Sequence, residues 1–301
     1  MELSDKKFAV LIDADNISHR KIKDILDEIA NYGTPTIKRI YGDFTDPKFA
    51  AWKSVLLENS ITPIQQYAYT TGKNATDSAL IIDAMDILHK ESVNGFCIVS
   101  SDSDYTRLAS RIRESGREVL GFGEKKTPKP FIKSCDKFIY VEILGQPAPA
   151  PAPVSAPAQT TAAVPAAKAA TPKKTAKKHQ GRNAPETDMP EAAPAEPAAA
   201  EKKAAPAPDT AQPQPIIRPI DDDFKTLLAN TIEDAADDSG WAFLGIVGGV
   251  LTKKMPDFDP RNYGYKKLSL LVKSLSKIVE IEERPSENKE LKLVYVRNRI
   301  R

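Results

Sequence analysis

The sequence predicts an α/β domain, a disordered Ala/Pro-rich linker and a small winged-helix domain. Residues 1–145 alternate short apolar runs with helical patterns, which indicates a mostly parallel sheet flanked by helices. Residues 146–219 are dominated by Ala and Pro and offer almost nothing to bury, so we expect a solvated tether between independently moving domains. Residues 220–301 contain helical patterns followed by the strand-like runs IVEIEER and LKLVYVR, which is the order of a winged helix.

The first domain contains six strand-like runs, each followed by a turn or a helical pattern. The runs are FAVLI (8–12), TIKRIY (36–41), ITPIQQY (61–67), FCIVS (96–100), EVLGFG (118–123) and FIYVE (138–142). In parallel sheets of this kind, ligands bind in the crevice beyond the carboxyl ends of the strands. The residues that directly follow each run are therefore the candidates for function.

Composition excludes several classes of protein. No apolar run approaches the roughly 20 residues of a membrane span, and the start MELSDKKFAV does not resemble a secretion signal, so we expect a cytoplasmic protein that does not enter membranes. Cys97 and Cys135 have no Cys or His at metal-ligand spacing, which favours reduced core thiols.

Charge gives no general argument for nucleic-acid binding. The net charge of +2 divides into −1 for the first domain, +3 for the linker and 0 for the last domain. Within the linker, the basic run KKTAKKHQGR at 173–182 either contacts phosphates or serves as a solubilising charge run. Nucleic-acid binding would therefore depend on local surfaces and not on the total charge.

Acidic residues follow two of the predicted strands. The first strand runs into Asp13, Asp15 and Asn16, and the fourth ends in SDSD, which contains Asp102 and Asp104. The first and fourth strands can be neighbours in a doubly wound sheet, which would bring Asp13 close to Asp102. Two carboxylates about 4 Å apart repel by roughly 4 kcal/mol at an effective dielectric near 20, so such a pair requires a cation or a proton.

A further carboxylate lies on the helix predicted near 76–90. At about 100° per residue, Asp77 shares a face with Ile81, Ala84 and Leu88, which should pack against the sheet. Asp83 and Asp86 should instead face solvent. The alternative for Asp77 is helix capping, because a carboxylate at a helix start accepts backbone N–H bonds, and the same alternative holds for Asp104.

Three separate segments thus direct carboxylates to one edge of one sheet. Oxygen ligands alone suit Mg²⁺ or Mn²⁺, and the lack of a nearby Cys or His argues against zinc. A divalent ion held in this way can activate water and neutralise charge on a phosphodiester.

The segments LIDADN, GKNATDSALIIDAMDIL, IVSSDSDYTRLASRIRESG and CDKFIYVE resemble the NYN domain family of the PIN-like nuclease superfamily. The resemblance covers residues 6–144. It implies a PIN-like fold and Mg²⁺- or Mn²⁺-dependent RNA cleavage, with a centre whose metal-binding and catalytic residues are Asp13, Asp77, Asp102 and Asp104.

Three polar residues near these motifs are candidates for substrate binding. Asn16 matches a polar position beside the first aspartate of the family, and Ser101 precedes Asp102. Lys73 either holds a substrate phosphate or is a surface lysine in a loop. The DAD pattern also resembles haloacid-dehalogenase-type phosphatases, whose first Asp is a nucleophile, but SDSDYTRLA fits their last acidic motif poorly.

The C-terminal phrase FDPRNYGYKKLSLLVKSL resembles the LOTUS domain, also called OST-HTH, which implies binding to RNA or, in some members, to a protein partner. Helical spacing places Leu268, Leu271, Val272 and Leu275 on one side and three lysines on the other. The candidate RNA-binding residues are Arg261, Tyr263, Tyr265, Lys266, Lys273 and Lys277. The alternative is a solvated helix face with core tyrosines, and the neutral charge of the domain argues against tight nonspecific binding.

The sequence therefore favours a metal-dependent endoribonuclease in which the first domain cleaves RNA and the tethered LOTUS domain binds it. The alternative is a non-catalytic RNA-binding adaptor whose acidic pocket binds metal weakly or has only a structural role.

Overall fold

The computed structural model describes residues 6–67, 75–145, 217–285 and 292–299. In the N-terminal domain, six strands form one sheet in which every neighbouring pair is parallel. The strands are β1 (Lys7–Asp13), β2 (Thr34–Gly42), β3 (Thr62–Gln65), β4 (Gly95–Val99), β5 (Glu118–Gly123) and β6 (Lys137–Tyr140). Their order, β3-β2-β1-β4-β5-β6, confirms that the first and fourth strands are neighbours.

Helices cover both faces of this sheet. They are α1 (Ile22–Ile29), α2 (Trp52–Asn59), α3 (Ala75–Lys90), α4 (Thr106–Glu114) and α5 (Lys129–Ser134). Because side chains alternate along a strand, Val10 and Ile12 of β1 join a core with α1 and α2, whereas Ala9 and Leu11 join a core with α3, α4 and α5. The central strands are consequently apolar almost throughout, as expected for a parallel sheet buried on both faces.

The C-terminal domain has a separate core and its own sheet. Its elements are α6 (Asp222–Asp234), β7 (Ala242–Phe243), α7 (Leu244–Lys254), α8 (Leu268–Ser274), β8 (Val279–Pro285) and β9 (Lys292–Asn298). The strands pair antiparallel in the order β7-β9-β8. This succession of elements confirms the winged-helix prediction.

Other sequence predictions have mixed outcomes in the structure. Cys97 and Cys135 are buried free thiols, as expected. Most of the predicted linker, including the basic run at 173–182, lies outside the described residues. Among the helices of the described ranges, none is long and apolar enough to cross a bilayer.

The two domains contact each other directly, which the prediction of independent movement did not anticipate. Both belong to one compact unit. The backbone N–H of Phe138 in β6 donates to the carbonyl of Pro256 (2.9 Å), and the Tyr140 hydroxyl donates to Asp257 (2.9 Å). Arg261 donates two hydrogen bonds, of 2.9 and 2.8 Å, to the carboxylate of Glu28 in α1. The loop after α7 therefore lies against the outer strand of the N-terminal sheet.

Candidate functional site

The candidate site forms where β1 and β4 end side by side. Ile12 pairs with Val99 in the sheet register, so Asp13 and Ser100 follow at the same level. Both strands are buried along almost their whole length, and this fixes the positions of the polar residues at their ends. The sequence prediction that two strand ends deliver carboxylates to one edge is therefore confirmed for the backbone.

Asp13 is fully buried and is held by three donors. Its Oδ2 accepts hydrogen bonds from Asn16 Nδ2 (2.7 Å) and Ser100 Oγ (2.8 Å), and its Oδ1 accepts one from the backbone N–H of Asp15 (3.0 Å). The Tyr105 hydroxyl oxygen lies 3.4 Å from the same Oδ2. Burial raises the pKa of Asp13 to about 6 despite these bonds. Asn16, predicted to bind substrate, is placed here as a partner of Asp13.

Tyr105 joins Asp13 to Asp77, and sequence reasoning missed it. Its hydroxyl donates a 2.7 Å hydrogen bond to Asp77 Oδ1 and lies 3.4 Å from Asp13 Oδ2. The side chain is fully buried, and this burial together with the two carboxylates raises the pKa of the phenol. Tyr105 therefore remains a proton donor to Asp77. The signal for it was its position directly after SDSD, at the start of a helix that packs on the sheet.

Three carboxylates gather at the mouth of the site. Asp77, Asp102 and Asp104 each offer one oxygen, and these oxygens lie within 4.8 Å of one another. Asp77 and Asp102 are half-buried and Asp104 is exposed. Burial and then the charges of Asp102 and Asp104 raise the pKa of Asp77. A cluster of like charges offering oxygen ligands alone is chemically suited to a hard divalent cation such as Mg²⁺ or Mn²⁺.

The structure differs from the predicted four-aspartate centre in the place of Asp13. The group of carboxylates close enough to share one ion contains only the other three aspartates among the described residues. Asp13 lies behind them and is connected to Asp77 through the Tyr105 hydroxyl. The buried carboxylate of Asp13 therefore does not join the cluster of the three more accessible aspartates but is linked to it through Tyr105.

Of the three clustered aspartates, Asp102 caps a helical turn, and this capping bond uses one of its two carboxylate oxygens. Asp102, not Asp104, is the N-cap of the 3₁₀ turn Ser103–Tyr105, and its Oδ1 accepts from the backbone N–H of Asp104 (3.0 Å). The capping alternative for Asp104 was therefore wrong. Because a carboxylate has two oxygens with about four lone-pair sites, capping leaves Asp102 able to bind a cation.

The predicted orientation of α3 was wrong by part of a turn. Its buried residues are Leu80, Ala84 and Ile87, whereas Ile81 and Leu88 are only partly buried. The buried stripe is thus rotated by about 50° from the direction of Asp77, at 100° per residue.

This rotation changes the surroundings of the other α3 carboxylates. Asp83, predicted to face solvent, accepts hydrogen bonds from Arg39 and from the Tyr41 hydroxyl on β2. Asp86 is exposed as predicted and pairs with Lys90 (2.8 Å).

The remaining predicted substrate residues have different placements. Ser101 is buried, and its Oγ accepts a 2.8 Å hydrogen bond from the backbone N–H of Glu124 after β5. Lys73 lies outside the described residues. Lys48 Nζ pairs with Asp15 at 2.9 Å, which places a cation near the mouth that the sequence did not single out.

Two predicted RNA-binding residues of the C-terminal domain have internal partners. Arg261 is paired with Asp259 as well as with Glu28. The Tyr263 ring is buried and lies 4.7 Å from the ring of Phe224, centroid to centroid. Tyr265 is partly buried against the same core. These placements correspond to the core alternative rather than to stacking on bases.

The predicted alignment of Lys266, Lys273 and Lys277 on one helix face requires a longer helix than the structure contains. Since α8 covers only Leu268–Ser274, Lys266 precedes it and Lys277 follows it, so helical phase does not align them with Lys273. All three lysines are exposed, and Lys273 pairs with Glu283 at 2.8 Å. The apolar side was predicted well, because Leu271, Val272 and Leu275 are buried.

The fold and the site define an α/β domain that presents an acidic edge, followed by a winged helix. The family model of the NYN domain matches residues 7–143, and that of the OST-HTH/LOTUS domain matches residues 215–291. The chain therefore contains an NYN domain and an OST-HTH/LOTUS domain, as its motifs predicted. No curated protein matches the chain.

Similar solved structures come from three bacteria. A protein of unknown function from Vibrio parahaemolyticus is 20% identical, with a TM-score of 0.39, over 46% of this chain and 96% of its own. An uncharacterized protein from Nitrosomonas europaea is 36% identical, with a TM-score of 0.26, over 34% of this chain and 93% of its own. A protein from Chromobacterium violaceum is 32% identical, with a TM-score of 0.23, over 29% of this chain and 90% of its own.

Proposed function

We propose that the protein is a metal-dependent endoribonuclease. The observation that carries this proposal is the cluster of Asp77, Asp102 and Asp104 oxygens within 4.8 Å of one another at the carboxyl edge of a parallel sheet. The NYN domain supplies the nuclease-like fold, and the OST-HTH/LOTUS domain supplies RNA binding. Together they favour a role in cutting RNA over a role in binding alone.

The three clustered aspartates would hold Mg²⁺ or Mn²⁺. Such an ion supplies Lewis acidity, which activates water and neutralises charge on a phosphodiester. Tyr105 Oη orients Asp77 by donating to its Oδ1. Ser100 and Asn16 hold Asp13 behind the cluster, where its negative charge adds to the attraction for a cation.

Activity on a labelled RNA tests the proposal. Purified protein with Mn²⁺ should cut a single-stranded RNA, and Asp102→Asn should cut it about 100-fold more slowly or worse, because it loses a ligand charge. The matched control is Asp86→Asn, which changes an exposed carboxylate on the same domain that pairs with Lys90 on its own helix. It should cut like wild type.

The adaptor alternative predicts different results in the same assay. RNA would bind but would not be cut with any divalent metal, and Asp13→Asn would bind RNA as well as wild type. Equal cutting by wild type and Asp102→Asn would also refute the proposal, because it would identify a contaminating nuclease.

A further inference from the structure

The outer face of the C-terminal sheet carries three aromatic rings. Phe243 of β7 pairs with Tyr295 of β9, and Trp241 directly precedes β7. Their strand neighbours Ala242 and Val296 point to the opposite side and are buried in the core. Aromatic side chains that lie half-buried away from a core are typical of binding surfaces, because they keep apolar ring area available.

Two arginines are stacked among these rings. The Arg284 guanidinium carbon lies 4.4 Å from the centroid of Tyr295 and 5.2 Å from that of Trp241. The guanidinium of Arg297 lies 4.7 Å from the Trp241 centroid. We call Trp241, Phe243, Arg284, Tyr295 and Arg297 the aromatic–arginine face. Stacking on rings restricts the guanidinium groups and so lowers the entropy lost when they bind a ligand.

The two arginines of this face form ion pairs that are partly exposed to solvent. Arg297 pairs with Glu280 at 2.7 Å, and Arg284 pairs with Glu282 at 3.0 Å. The four side chains are between 35 and 46% exposed. Ion pairs this exposed contribute little to stability, so a phosphate can replace the carboxylates as the partner of each arginine.

We propose that the aromatic–arginine face binds unpaired nucleotides of single-stranded RNA. Bases stack on the rings and on the guanidinium planes, and phosphates contact the arginines. The inference rests on the proposed function only in taking RNA as the substrate. It places the RNA surface on β7, β8 and β9 instead of on the residues around α8 that the sequence suggested.

The fluorescence of Trp241 provides a direct test on the full chain. The Asp102→Asn protein in EDTA is titrated with a single-stranded RNA of about 12 nucleotides, which is within the range bound by one small domain. RNA should quench the emission, and Trp241→Phe should remove the change because the other tryptophan, Trp52, is buried in the other domain. A duplex of the same length should bind more weakly.

Substitutions on the face distinguish stacking from nonspecific charge. Tyr295→Ala and Arg297→Met should each weaken affinity about tenfold or more, whereas Tyr295→Phe keeps the ring and should bind within about threefold of wild type. Lys225→Ala is the matched control, because it removes a partly exposed cation from α6, a helix that packs on the core side of the sheet. Circular dichroism and melting of each variant exclude unfolding as the cause.

The possible outcomes separate this proposal from the nuclease proposal. If Tyr295→Ala and Arg297→Met bind the RNA as tightly as wild type, or RNA leaves Trp241 emission unchanged, the proposed surface is wrong. If RNA quenches Trp241 but the wild-type protein cuts nothing, the surface stands and the nuclease assignment fails.

Discussion

The buried carboxyl of Asp13 should make the metal-free NYN domain less stable as the pH rises. Its pKa is raised from 3.8 to about 6 by burial, so the folded protein holds a proton that the unfolded chain has already released. The stability associated with this proton is fully present below about pH 4 and is lost as the pH rises through 6. A shift of about two units corresponds to about 3 kcal/mol, with a slope of up to about 1.4 kcal/mol per pH unit.

Asp13→Asn isolates this contribution because asparagine stays neutral at every pH. The free energy of unfolding of the variant minus that of wild type should rise by about 2.4 kcal/mol between pH 4 and pH 7. Changes in hydrogen bonding to Asn16 and Ser100 add a constant that does not depend on pH. Exposed carboxyls with a lowered pKa, such as Asp86, have the opposite pH dependence and cancel in the difference.

Urea unfolding in EDTA measures this difference. In a Trp241→Phe background, the fluorescence of Trp52 reports on the NYN domain alone, since Trp52 is buried in its core. Asp86→Asn serves as the control and should show no rise. A difference between Asp13→Asn and wild type that stays constant from pH 4 to pH 7 would refute the claim that burial sets the proton affinity of Asp13.

Three further predictions concern the cluster, its support and the domain contact. Millimolar Mn²⁺ should raise the melting temperature of wild type by several degrees at pH 7.5 and that of Asp77→Asn by much less, in calorimetry. Tyr105→Phe should keep the fold but reduce the Mn²⁺-dependent cleavage rate about tenfold, because Asp77 loses the donor that orients it; an unchanged rate would refute this role. Arg261→Met removes the two hydrogen bonds that Arg261 donates to Glu28 and should weaken the domain contact by about 1–3 kcal/mol, which small-angle X-ray scattering would detect as a larger radius of gyration.

Sequence reasoning placed the strand-end carboxylates well because burial on both faces gives a strong signal. A short apolar run such as FCIVS that ends in polar residues favours a buried central strand, and the residues after such a strand lie at the edge of the sheet. The positions of Asp13 and Asp102 followed directly. Six strands and their alternation with helices were predictable for the same reason.

Details that depend on tertiary packing could not be predicted in this way. The phase of α3 was misjudged because its apolar residues surround much of the helix, and a pairing with Arg39 and Tyr41 decided where Asp83 lies. The role of Tyr105 required two side chains from different segments to meet at one hydroxyl. No spacing within a single segment contains that information.

The alignment of the three lysines on one helix face was wrong because helical spacing was extended beyond the helix. After Ser274 the chain turns toward β8, so Lys277 has no helical relation to Lys273. Arg261 and Tyr263 belong to a conspicuous motif, but their partners are Glu28 and the ring of Phe224. A motif that distinguishes a family can thus serve the packing of its fold.

The hydrogen bond from Phe138 to Pro256 places the C-terminal domain against one edge of the NYN sheet. β6 is one of the two edge strands of its sheet, and an edge strand with uncovered N–H groups is a template for pairing with another molecule. Expressed without residues 217–301, the domain should self-associate in a concentration-dependent manner. The winged helix would then have a second task that needs no RNA, namely keeping the β6 edges of neighbouring NYN sheets from pairing with each other.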